Sequence, residues 1–169
     1  MASIAKANGI KPLVAQLDSS DEKTTAYAAR VLADMARKQE EYAKQVAQAG
    51  GIALCVKLLA KGSLEAQELA AHALTGIAAG GCKEKIRELG GIELLVRVLK
   101  SNRSESSQLE RVKAHAANAL AELARDDAPI QREVVQCGGI DALVAVVTTS
   151  KLDSSKARAA DPLMTSDDV

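Results

Sequence analysis

The sequence predicts an all-α fold, a right-handed α-solenoid of about three and a half three-helix repeats, and three observations carry that prediction. A phrase built on Gly-Gly-Ile recurs as QAGGIALCVKLL from Gln48, LGGIELLVRVL from Leu89, VQCGGIDALVAVV from Val135 and, with the first glycine replaced, ANGIKPLVAQL from Ala7. Its isoleucines, Ile10, Ile52, Ile92 and Ile140, stand 42, 40 and 48 residues apart. Apolar residues follow each isoleucine at the same helical offsets: Leu13, Val14 and Leu17; Cys55, Val56 and Leu59; Leu95, Val96 and Leu99; Leu143, Val144 and Val147. Offsets of three, four and seven mark one face of an amphipathic helix, here written four times.

Each unit opens on a short first helix. Six residues before each isoleucine stands a branched aliphatic, Ile4, Val46, Ile86 or Val134, so this helix ends just before the glycines. The first glycine can take the left-handed conformation that closes a helix, and the second lets two helix axes meet sharply with no Cβ between them. The apolar helix follows as the second element. The third reads TTAYAARVLADMA from Thr24, QELAAHALTGIA from Gln67 and VKAHAANALAELA from Val112. Leu32, Leu74 and Leu120 align, each behind an alanine pair (Ala28 and Ala29, Ala70 and Ala71, Ala116 and Ala117) that permits close helix approach.

Leucine follows isoleucine by 22 residues in two repeats and by 28 in the third, the excess falling in a serine-rich loop at 101–107. The units are expected near 1–38, 39–80, 81–126 and, in part, 127–149, with 150–169 a polar, flexible tail. A fourth third helix would put Pro162 where its leucine belongs, and proline inside a helix costs about 3 kcal/mol through a lost hydrogen bond and a ring clash. Both ends are therefore ragged. The chain is expected to be a fragment of a longer array or part of a larger complex, with Leu143, Val144 and Val147 as an end-docking surface.

Composition narrows the function. The 169 residues are 47% hydrophobic, yet Phe and Trp are absent and Tyr27 and Tyr42 are the only aromatics, so small aliphatic residues fill the core of closely packed helices. Lys plus Arg equals Asp plus Glu, 22 against 22, which removes the cationic field a phosphate backbone needs and argues against nucleic acid. Three scattered cysteines in no CxxC pair point to a reducing compartment, the cytoplasm or the nucleus. No apolar run approaches membrane length, and MASIAKANG has no apolar signal core and no glycine for myristoylation.

The order short helix, Gly-Gly-Ile hinge, Leu-Val helix and AAxAL helix resembles the armadillo repeat over about Ile4 to Val147. The HEAT repeat, its nearest relative, usually has two helices per unit and lacks the glycine hinge. The resemblance implies a non-catalytic scaffold whose third helices line a concave groove that holds another protein or a peptide segment. In peptide-clamping members each third helix offers a tryptophan and, four residues on, an asparagine. Here those positions hold Arg30 and Asp34, His72 and Gly76, Asn118 and Glu122, so neither feature survives. Arg30 also opposes a nuclear-localisation-receptor reading, which wants an acidic groove. With the residues one turn earlier, the expected groove strip is Tyr27, Arg30, Asp34, Glu68, His72, His115, Asn118 and Glu122.

Other chemistry fits poorly. His72 and His115 lie near one face of adjacent third helices, but a closed zinc site takes four ligands and no cysteine has the spacing; no cofactor is expected. GIAAGGCKE from Gly76 lacks the lysine of a phosphate loop, which would stand at Cys82, and it joins two helices. Cys55 falls on a buried helix face, where a thiol is packing. No enzyme activity is expected.

Overall fold

A computed structural model describes residues 9–101 and 106–148. Ile4, Asn8, the middle of the serine-rich loop and the 150–169 tail with Pro162 lie outside the described residues. Within them the backbone is helical throughout: α1 Ile10–Ala15 with a 3-10 turn Gln16–Asp18, α2 Glu22–Lys38, α3 Glu40–Gln48, α4 Gly51–Lys61 and α5 Leu64–Ala79. There follow α6 Lys83–Glu88, α7 Gly91–Leu99, α8 Ser107–Ala124, α9 Ala128–Gln136 and a helix α10 over 139–148.

The hinges show why two glycines recur. Gly50, Gly90 and Gly138 have φ of 82°, 72° and 71°, so the first glycine of each pair is a left-handed helix stop. The second has no room for a side chain. A Cβ on Gly51 would come 2.6 Å from Val46, on Gly91 2.5 Å from Ile86 and on Gly139 2.6 Å from Val134. The branched aliphatic upstream thus packs directly onto the bare backbone of the second glycine, which fixes how the first and second helices meet.

The third helices form the spine. α5 packs along α2 on one side and α8 on the other, and each second helix lies against its own third helix, α4 on α5 and α7 on α8. Leu32, Leu74 and Leu120 are all buried at this spine. At the closest crossing a Cβ on Gly76 would fall on the backbone carbonyl of Ala33. Each third helix opens on a side-chain cap: Asp21 accepts from Thr24 N (3.0 Å), Ser63 from Ala66 N (3.3 Å) and Ser106 from Leu109 N (3.2 Å). Ser106 and Ser107, read above as loop, therefore belong to the start of α8.

The fourth unit departs from the other three. Ile92 is 0% exposed and its counterpart Ile140 51%; Val96 is 2% exposed and Val144 56%. Val147 is likewise exposed where Leu99 is buried. Of the expected docking trio Val144 and Val147 are exposed and Leu143 is half-buried against the core, while Val135 and Ile140, outside that trio, are also exposed. Their periodicity is that of a covered helix, but among the described residues no third helix lies over 139–148.

Candidate functional site

The exposed sides of α2, α5 and α8 line a continuous polar strip. Along α2 it runs Lys23, Tyr27, Arg30, Asp34 and Arg37, a spacing of alternating fours and threes that keeps one helix face. Toward the N-terminal ends of the three helices it sinks into a depression of about 520 Å³, walled by Lys23, Tyr27 and Arg30 of α2, Glu65 and Glu68 of α5, and Arg111 of α8. Tyr27 is the most exposed large apolar side chain described, and its ring stands in this depression.

Ionic contacts divide the strip unevenly. Arg111 Nε donates to both Glu68 oxygens, at 3.3 and 3.2 Å, and His115 Nε2 stands 3.9 Å from Glu68 Oε1. Glu122 is paired with Arg125 at 3.1 Å. Among the described residues Lys23, Arg30 and Arg37 enter no ion pair, so the α2 side of the strip presents three such cations against one carboxylate, Asp34.

His72 and His115 meet across α5 and α8 edge to face, their ring centroids 5.3 Å apart at 74°. Burial holds the His72 pKa below its ordinary value of 6.5, and His115, Arg37 and Arg30 act in the same direction against the opposing pull of Asp34. Among the described residues no group of three or more His, Cys, Asp or Glu is arranged to hold a metal ion. The thiols are not activated. Burial pushes Cys55 up to about 12, and Cys82 and Cys137 are also raised, first by burial.

Of the strip expected from sequence, Tyr27, Arg30 and Glu68 line the depression. His72 and His115 form the ring pair beyond it, with His72 within electrostatic reach of Asp34. Asn118 is exposed and Glu122 half-buried farther along α8. Gly76, matched to an asparagine position, is instead buried in the α2–α5 crossing, where no side chain fits. Lys23, Glu65, Gln108 and Arg111 were missed. The signal for them was the same helical spacing carried one further turn toward the helix N-termini.

No protein-family model matches the chain. No curated protein matches it. Solved structures do. An engineered protein is similar at 34% identity with a TM-score of 0.78 over 92% of this chain. A designed armadillo repeat protein in complex with peptide (KR)4 is similar at 27% identity and a TM-score of 0.74 over 85%. Computationally designed armadillo repeat proteins for modular peptide recognition are similar at 26% identity and a TM-score of 0.71 over 85%. The chain spans 61%, 59% and 59% of the length of these three. No described helix is long and apolar enough to cross a membrane. Glycine-hinged helices, an alanine-rich spine of third helices and this set of structural neighbours together show that the chain belongs to the armadillo-like repeat family.

Proposed function

We propose that the chain is a non-catalytic protein–protein interaction module that holds an extended segment of a partner along α2, α5 and α8. The observation that carries this reading is the depression walled by three successive third helices, with an exposed tyrosine and unpaired cations on α2. Tyr27 offers an apolar face and a hydroxyl on a side chain with few rotamers to lose. Lys23, Arg30 and Arg37 favour a segment that brings carboxylates to the α2 side, whereas Arg111 is already engaged by Glu68. One structural neighbour is in complex with the basic peptide (KR)4; the α2 cations of this chain argue for the opposite charge. Neighbouring helices stand about 8–10 Å apart, so three grooved helices make a short surface and affinity for an isolated peptide is modest.

Fluorescence anisotropy with labelled acidic, neutral and (KR)4 peptides tests this. The acidic peptide is expected to bind at least about tenfold tighter than (KR)4, with affinity falling as salt rises. Charge reversal by Arg30→Glu with Arg37→Glu is expected to abolish the preference while circular dichroism is unchanged. Tighter binding of (KR)4, or an acidic preference that survives the reversal, would sink the reading. Docking through the solenoid end is a second reading, favoured by the exposure of Ile140, Val144 and Val147.

A further inference from the structure

We infer that the segment held in the depression is ampholytic, with a carboxylate over α2, an aliphatic side chain at the centre and a cation over α5. The inference rests on the groove reading above and gives the chemistry of its occupant. The two walls of the depression differ in sign. On α2, Lys23 and Arg30 stand one turn before and one turn after Tyr27, and all three residues are exposed. On α5 the wall is Glu65 and Glu68. Glu68 is already engaged, since Arg111 Nε donates to both its oxygens and His115 Nε2 stands 3.9 Å from one of them. Glu65 is exposed, and among the described residues it enters no ion pair.

Opposite charges thus border one depression of about 520 Å³ without closing on each other. Lys23 and Arg30 make no ion pair with Glu65 across it. A segment that brings a carboxylate to the first wall and an ammonium or guanidinium to the second complements both. A uniformly acidic segment instead sets a like charge against Glu65. The rest of the lining on these two helices is apolar: Ala26 and Leu69, both partly buried, and the ring of Tyr27. That lining suits one aliphatic side chain between the two charges. An extended segment lying across the helices turns alternate side chains to the protein, so carboxylate, aliphatic and cation fall on every second position.

The probes are two labelled peptides with the same glycine flanks, one carrying Glu-Ser-Leu-Ser-Lys and the other Glu-Ser-Leu-Ser-Glu, titrated against the full chain by fluorescence anisotropy. The mixed peptide is expected to bind at least about threefold tighter than the acidic one. In Glu65→Lys that order is expected to reverse, with circular dichroism unchanged because Glu65 is exposed. Glu93→Lys, an exposed site on α7 outside the depression, makes the same change in net charge and is expected to keep the original order. Equal or tighter binding of the acidic peptide to the unaltered chain would overturn the inference and leave the groove reading standing. An order that survives Glu65→Lys, or that Glu93→Lys also reverses, would overturn it as well. Loss of neither peptide on Arg30→Glu with Arg37→Glu would instead remove the groove reading, and this inference with it.

Discussion

The seam between the second and third repeats and the seam between the third and fourth share one register and pack differently. In the first, Leu59, Gln67 and Val98 enclose a space of about 30 Å³. In the second, the matching Leu99, Lys113 and Val146 leave about 290 Å³. The position seven residues before the spine leucine decides part of this. Thr25 donates to Gln16 O at 3.4 Å and Gln67 to Gly62 O at 3.1 Å, so each ties its third helix to the preceding turn. Lys113 instead faces Glu110 of its own helix at 3.8 Å. The other part is cover: α4 and α7 are each held under a third helix, and among the described residues α10 is not. An amphipathic face stabilises an array only where the next element buries it.

The largest test of this contrast substitutes the same register position on both sides. Ile92→Ala empties a fully buried site and is expected to cost about 3 kcal/mol. Ile140→Ala trims a half-exposed side chain and is expected to cost less than about 1 kcal/mol. Urea unfolding followed by circular dichroism reads both, and equal losses would mean that the end is covered in solution.

A smaller effect comes from the ring pair inside the closed part of the spine. His72 is held below its ordinary 6.5, so the unfolded chain binds its proton first. The stability from neutral His72 is complete above that value and is lost as pH falls through it toward the lower folded pKa. The groups facing it are His115 on α8 and Arg30, Asp34 and Arg37 on α2. The unfolding midpoint is expected to drop between about pH 7.5 and about pH 5.5, with a shallower slope in His72→Gln. An unchanged slope in that variant would assign the dependence to other groups.

Much of the fold was legible in the sequence because its physics is local. A helical offset of three, four and seven names a face, and a doubled glycine names a stop and a close approach, whatever lies elsewhere. What escaped depended on neighbours in space. Ile140 carries the same pattern as Ile92, yet it is exposed, and among the described residues no third helix lies over it. Gly76 sits at a matched groove register, yet the α2–α5 crossing closes over it. The groove strip was read one turn deep, which found Tyr27, Arg30 and Glu68; the depression continues to Lys23, Glu65 and Arg111.

The contrast between a closed interior and an open end is tested most directly by hydrogen exchange of the free chain, resolved by helix. Amides of α7 are expected to exchange at least about a hundredfold more slowly than those of 139–148, because α7 opens only with the array and α10 opens locally. Equal protection of the two helices would contradict the account, for it would mean that the fourth unit is sealed as tightly as the third.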